Sequence, residues 1–245
     1  MRGRFLLGSK EAIVEGNIYA DKSSLILDWL LKVGIDKEEF SLREVAKDRE
    51  VSVGLVQRVF GVLVLNGLLR AEGMRTAKKF SFKKPSLLLK SWLEQYSIVK
   101  KCKLRTYRSG FQGKEELLEA LKKAKLNQKV ALALHSSAEA YGCKNTNLNT
   151  LELYLLDPAA RSELEKALQL EPQERGYEVL LIEPYYKSLL NLSTGSGRNA
   201  RNCSALLTFL DLYHFPLRGK EQAEFMAERI PELKRIYKNA GTRNE

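Results

Sequence analysis

Between Ser41 and Leu65 apolar residues recur twice at helical spacing, and the breaks fall at turn-forming positions. The first run is short. Ser41 is placed to cap a helix whose apolar side is Leu42, Val45 and Ala46. Asp48 to Glu50 follow as a polar turn. Ser52 is a second cap, and the helix it opens reaches about Leu65. Leu55, Val59, Val62 and Leu63 form its expected buried stripe, joined by Val56. Asn66-Gly67 stops it. Leu68, Leu69 and Ala71 make a short strand, Gly73 to Ala77 turn, and Lys78 to Phe82 return with Phe80 and Phe82 alternating against polar neighbours. Ahead of these elements, Asp21 to Val33 carries Leu25, Ile26, Trp29, Leu30 and Val33 on one stripe, ended by Gly34. Three helices and a hairpin in this order predict a winged helix-turn-helix. Residues 1–20 are ambiguous: Glu11 to Tyr19 fit either a strand or a segment lying across this unit.

A charged junction ending in proline, Lys83-Lys84-Pro85, closes the first unit. Beyond it the spacing predicts a helix over Ser86 to Tyr96, a strand over Ile98 to Tyr107 and a helix over Gly113 to Ala124. A strand over Val130 to Leu134 and a short helix over Ser136 to Tyr141 follow. Leu151 to Leu156 reads as a strand, Ala159 to Leu168 as a helix and Tyr177 to Ile182 as a strand. Closing helices are expected over Ser204 to Tyr213 and Lys220 to Tyr237, the last kinked or divided at Pro231. Ser193 to Asn202 is small, polar and basic, and is expected to be a mobile loop. The expected fold class is therefore α+β: a winged helix-turn-helix domain over residues 1–84, then a mixed α/β domain over 85–245.

Charge sharpens this picture. The 245 residues carry a net charge of +11. From Gly73 to Arg108 eleven Lys or Arg stand against one acid, Glu94, a local net of +10. A basic stripe beside a helix-turn-helix is the electrostatic footprint of a nucleic-acid binder. A recognition helix reads base edges from its N-terminal end, which makes Ser52, Val53, Gly54, Gln57 and Arg58 the candidate reading residues. Arg75, Lys78 and Lys79 on the wing are candidate phosphate contacts. No apolar run approaches the ~18–20 residues that cross a bilayer, and the apolar patch near the start is too short for a signal peptide. Cys102, Cys143 and Cys203 lie far apart and fit neither a disulfide framework nor a metal knot. The expected location is the cytoplasm.

The chemistry of catalysis has little support. Gly195 and Gly197 lack the spacing of a P-loop or a dinucleotide-binding turn. Gly195-Ser196 has no paired aspartates after it, as a nucleotidyltransferase requires; the next, Asp211, falls inside an apolar helix. His135 and His214 have no Cys, Asp or Glu at metal-ligand spacing, and His135 reads as a hydrogen-bonded structural residue. Cys203 reads as a small packed residue. Glu152, Asp157 and Glu178 flank or occupy strands without the lysine of a restriction-type nuclease. Trp92 and Tyr96, four apart, read as core. No metal, cofactor or catalytic residue is expected.

VSVGLVQRVFGVLVLNGLL, the wing, and PSLLLKSWLEQY together resemble the transcriptional regulators of the AbiEi antitoxin family of type IV toxin–antitoxin and abortive-infection systems. ALALHSSAEAYG is similar to the family's apolar strand and small-residue helix. SALLTFLDLYHFPLRGKEQAEFM is similar to its closing motif, a Leu-Asp-Leu helix, then Arg218-Gly219, then an acidic helix. The resemblance spans roughly Ser41 to Ile230. It implies a winged-helix domain followed by an α/β antitoxin domain, repression of an operon, and neutralisation of a nucleotidyltransferase toxin without stable contact. The expected function is that of an autorepressing antitoxin that binds double-stranded operator DNA and is not an enzyme. A homodimer is among the assemblies it allows. Alternatives are a winged-helix-linked nuclease or nucleic-acid-modifying enzyme, and a non-catalytic dimerisation or interaction protein. Arg198, Arg201, Arg218 and Lys220 form a candidate second nucleic-acid surface, since arginine suits phosphate.

Overall fold

A computed structural model of the chain describes residues 17–74, 78–192 and 200–237. The fold is mixed α+β, with a two-stranded and a six-stranded sheet. It opens with α1 (Asp21–Lys32), α2 (Leu42–Asp48) and α3 (Val53–Leu65). Ser41 caps α2 reciprocally: its hydroxyl accepts from the Glu44 N–H, and the Glu44 carboxylate accepts from the Ser41 N–H. Two orphan donors of the first turn are satisfied at once. Ser52 caps α3 by accepting the Leu55 N–H at 3.2 Å. Gly67, at a φ of 64°, lets the chain leave α3 through the left-handed region. It enters the antiparallel hairpin β1 (Leu69–Glu72) and β2 (Lys79–Phe82), in which Leu69 faces Phe82 and Ala71 faces Phe80.

The chain then forms α4 (Pro85–Gln95), α5 (Ile98–Lys101), β3 (Lys103–Ser109), α6 (Lys114–Lys123) and β4 (Val130–Leu132). α7 (Leu134–Ala140), β5 (Leu151–Leu155), α8 (Arg161–Ala167), β6 (Leu170–Pro172) and β7 (Val179–Glu183) follow. It closes with α9 (Lys187–Leu190), β8 (Arg201–Asn202), α10 (Ala205–Tyr213), α11 (Gly219–Arg229) and α12 (Pro231–Ile236). The strand order is β6-β3-β7-β5-β4-β8, with β5–β7 and β4–β8 parallel and the other pairs antiparallel.

Alternation along β5 and β7 places the two faces of the sheet in different apolar clusters. Leu151, Leu153, Leu155, Val179 and Leu181 pack with Leu117 and Leu121 of α6 and Leu164 of α8. Tyr154, Leu180 and Ile182 pack on the other side with α10 and α4. β5, LELYL, is buried at all five positions as expected of a strand covered on both faces, and its one acid, Glu152, is satisfied by hydrogen bonds. The second cluster is continuous from Ile18 to Ile236, so α1–α3 and the sheet's helices share one core. Polar contacts reinforce the junction. The Trp92 indole donates to Tyr186 at 2.8 Å, and Tyr186 donates to the Tyr19 carbonyl at 3.0 Å. Asp21 accepts from the Ser188 N–H and hydroxyl at 2.8 and 2.9 Å.

The structure departs from the sequence expectations at four places. In α1, Leu27 and Leu31 are buried while Leu25 and Val33 of the expected stripe are only half-buried. The expected strand over Ile98 to Tyr107 begins only at Lys103. Ile98–Lys101 is a single helical turn, because Ile98 is driven into the core and the Cys102 N–H returns to its carbonyl at 2.9 Å. The expected loop at Ser193 to Asn202 lies partly outside the described residues, but Arg201 and Asn202 pair with Ala131 and Leu132 as β8. The stripe of α3 centres on Val56, Val59, Phe60 and Leu63, with Leu55 and Val62 only half-buried. Phe60 displaces them because it is gripped edge-on by Phe40 and Phe80, at centroid distances of 5.8 and 4.8 Å.

Candidate nucleic-acid interface

α3 is positioned by an aromatic chain. Trp29 of α1 meets Phe40 edge-on at 5.0 Å, Phe40 meets Phe60 of α3, and Phe60 meets Phe80 of β2. Phe40 and Phe80 also exchange backbone hydrogen bonds of 3.0 and 2.9 Å. The hairpin is thus fixed against α3 and does not hang from its end.

With one face buried, α3 presents Val53, Gly54, Gln57, Arg58, Gly61 and Leu65 to solvent. Val53 is 43% and Leu65 62% exposed, large values for aliphatic side chains. A Cβ added at Gly54 or Gly61 would meet nothing within 4 Å. The ridge is therefore low as well as exposed, at a helix-propensity cost of roughly 1 kcal/mol per glycine. A groove runs along each side. One, of about 990 Å³, is bounded by Arg43, Gln57, Gly61, Leu65, Lys78 and Lys79. The other, of about 1000 Å³, is bounded by Lys22, Ser52, Gly54, Gln57, Arg58 and Leu65. A helix roughly 10–12 Å across fits a B-DNA major groove of about 12 Å, and cations on either side of the ridge match the two phosphate walls of such a groove.

Of the residues singled out from sequence, Ser52, Val53, Gly54, Gln57 and Arg58 lie together on this ridge, and Lys78 and Lys79 are exposed beside it. Arg75 lies outside the described residues. Arg43 and Lys22 were missed. They sit on α2 and α1, and only the packing of those helices brings them to the grooves. The basic stripe after the hairpin is less uniform than its sequence suggests. Lys103 and Arg105 pair with Glu183, each at 3.3 Å, and Arg108 pairs with Glu171.

The second candidate surface is divided among elements. Arg198 lies outside the described residues. Arg201 is half-buried on β8. Arg218 is exposed at a φ of 55° and bonds Glu221 through Nε and Nη2 at 2.8 and 2.6 Å. Lys220 is 4.0 Å from Glu224 and 5.7 Å from the Tyr213 ring centroid.

Of the groups weighed for catalysis, Asp157 and Glu178 are exposed, whereas Glu152, Asp211, Cys203 and the histidines are engaged internally. Glu152, fully buried on β5, accepts from the Ser136 N–H and hydroxyl at 2.9 and 2.6 Å, and from the Thr150 and Tyr177 hydroxyls. Asp211, fully buried on α10, accepts from the Tyr96 and Tyr154 hydroxyls at 2.7 and 2.9 Å, and burial pushes its carboxyl up to about 7. Burial pushes the Cys102 thiol up to about 11 and raises that of Cys203, so neither is poised as a thiolate. His135 Nε2 lies 2.9 Å from the Leu217 carbonyl, and burial holds the ring below its ordinary value. His214 Nε2 lies 2.7 Å from the Leu93 carbonyl. Among the described residues no three His, Cys, Asp or Glu are grouped to hold a metal, and no helix is long and apolar enough to cross a membrane.

A family model described as transcriptional regulator, AbiEi antitoxin, type IV toxin–antitoxin system matches residues 82–231, more than half of the chain. The match begins at the last residue of β2, so the α3 ridge precedes it. No curated protein and no solved structure matches the chain.

Proposed function

The chain belongs to the AbiEi antitoxin family of type IV toxin–antitoxin systems, and on that premise we propose that it is an autorepressing, DNA-binding antitoxin acting in the cytoplasm. In this reading residues 1–84 form a winged helix-turn-helix DNA-binding domain and 85–245 an antitoxin-like domain. The observation that carries it is the exposed α3 ridge between two grooves edged by Arg43, Lys78 and Lys79 on one side and Lys22 and Arg58 on the other. α3 enters the major groove of the operator. Arg58 donates to a guanine edge and Gln57 pairs with an adenine edge, each worth roughly 1–3 kcal/mol of discrimination. Gly54 and Gly61 let the helix backbone approach the base pairs, and the hairpin lysines contact phosphate.

The protein is not an enzyme in this reading. The burial and internal hydrogen bonds of Glu152 and Asp211, and the burial of Cys203, support that view. Its functional counterpart is a nucleotidyltransferase toxin, as the family resemblance implies. The test is fluorescence anisotropy on DNA from upstream of the chain's own gene, against random duplex at fixed salt. Arg58→Ala and Gln57→Ala should lose more affinity for operator than for random DNA. Equal loss on both would show that α3 does not read bases, and no preference in the wild type would overturn the repressor assignment.

A further inference from the structure

The parallel strands β5 and β7 run in register, with Tyr154 beside Ile182, and both end at a pocket that the DNA-binding reading does not use. Open α/β sheets place ligands outside the carboxyl ends of their parallel strands, where the following segments diverge. Here Leu155-Leu156 leaves β5, and Glu183-Pro184-Tyr185 leaves β7 towards α9. The space between them is about 390 Å³, within the range of small-molecule sites. Its floor is apolar, from Leu155, Leu156, Leu190, Pro158 and Pro184.

Its rim is cationic. Lys101, Lys103 and Lys187 reach it from three separate segments, against one carboxylate, Glu183. That carboxylate is already shared by Lys103 and Arg105 at 3.3 Å each. Lys101 and Lys187 form no ion pair among the described residues. Lys101 instead stands 5.5 Å above the Tyr185 ring centroid. Tyr185 is half-buried and held edge-on by Tyr186 at 4.9 Å. Two ammonium groups without a carboxylate partner among the described residues, one aromatic ring and an apolar floor suit a ligand with an aromatic body and a phosphate. A bare anion would leave the floor unused, and an uncharged ring would leave the lysines unused.

We propose that this pocket binds a nucleotide phosphate, either as a free nucleotide or as the phosphorylated end of a single nucleic-acid strand. The base packs over Tyr185 and the prolines, and the phosphate lies between Lys101 and Lys187, with Lys101 turning from the ring to the phosphate. Base–aromatic stacking and charge-assisted phosphate contacts are each worth enough to be measured singly. The inference does not depend on the operator-binding reading, which uses α3 on a different element.

The full-length protein would be titrated calorimetrically with nucleoside mono- and triphosphates, the matching nucleosides, inorganic pyrophosphate, and a 5′-phosphorylated trinucleotide. The expected result is binding of a nucleotide, with the nucleoside and pyrophosphate each weaker by about tenfold or more. Lys101→Ala with Lys187→Ala should weaken it by at least about tenfold. Tyr185→Ala should weaken it, and Tyr185→Phe should preserve it. Binding of free nucleotides supports a small-molecule site; binding of the trinucleotide alone supports capture of a strand end. Equal affinity for pyrophosphate and nucleotides, or wild-type affinity in the double lysine variant, overturns the proposal. So does the absence of binding by every probe at about millimolar concentration. Both lysines are exposed, and far-ultraviolet circular dichroism of the variants separates a lost site from a lost fold.

Discussion

Replacing Asp211 with asparagine should make the protein more resistant to alkaline conditions, by an amount that grows with pH. Asp211 lies in the middle of α10, 0% exposed, with two phenol donors and no cation paired to it among the described residues. Desolvation dominates, so its carboxyl rises from 3.8 to about 7 on folding. A raised folded value means the proton stabilises the native state fully below 3.8, and that stabilisation is lost as pH climbs towards 7. At 1.36 kcal/mol per unit the whole loss is about 4 kcal/mol, of which roughly 3 falls above pH 5. Asparagine has the same shape and never ionises. Its carbonyl accepts from one tyrosine and its amide donates to the other, and the Tyr96 hydroxyl also lies 3.8 Å from Cys102 Sγ as a second acceptor. Urea unfolding of both proteins from pH 5 to pH 8 at matched ionic strength gives the difference directly, and other titrating groups cancel. Asp211→Asn should gain on the wild type by roughly 3 kcal/mol between those limits. Parallel stability curves across the interval would refute the claim that the buried carboxyl holds its proton.

Three further outcomes follow from single contacts. Operator binding should weaken steeply with salt, and Lys78→Ala with Lys79→Ala should flatten the log–log slope by about one unit per lost phosphate contact; an unchanged slope would remove the hairpin from the interface. Trp92→Phe removes a buried 2.8 Å hydrogen bond to Tyr186 and part of an indole from the core, and should cost about 2–3 kcal/mol by urea unfolding, so wild-type stability would contradict this packing. In Gly219→Ala the new Cβ would clash with the Leu212 carbonyl and lie 2.8 Å from the Phe215 Cβ, which should cost about 1–3 kcal/mol; a thermal midpoint equal to wild type would show that the α10–α11 corner relaxes freely.

α3 is legible in the sequence because its signals are local. Ser52 caps α3, Gly67 ends it, and the residues between repeat at one period. Its buried face was read slightly out of place because valine or leucine occupies both sides, and only contact with Phe40 and Phe80 selects Phe60. β6, α9 and β8 span two to four residues, too few to express any period. The grooves were not legible for a different reason. Arg43 and Lys22 come from helices other than α3, and nothing local marks them as neighbours of Gln57. The lysine-rimmed pocket is a stronger case, since Lys101, Lys103 and Lys187 converge only when β3 and β7 pair.

The two most distinctive sequence features of the C-terminal half turn out to organise the core. The acid of the Leu-Asp-Leu run is held by tyrosines 57 and 115 positions away, so it ties α10 to α4 and to β5. Arg218-Gly219 marks a corner where Arg218 takes a positive φ and Gly219 admits the Leu212 carbonyl where a side chain would stand. A residue pattern can therefore identify a family through the geometry it enforces, without marking where a partner binds. The exposed chemistry lies on α3 and at the ends of β5 and β7, in residues whose sequence context is ordinary. Between them stands α9. Its Lys187 and Leu190 line the pocket, and its Ser188 is bonded to Asp21 at the start of α1. Because α1 packs behind α3 in a core shared from Ile18 to Ile236, the Asp21–Ser188 bonds join the segment below the pocket to the helices that support α3. Asp21→Ala removes both bonds to Ser188 and should cost about 1–3 kcal/mol by urea unfolding; wild-type stability would show that these bonds do not hold α9 to α1.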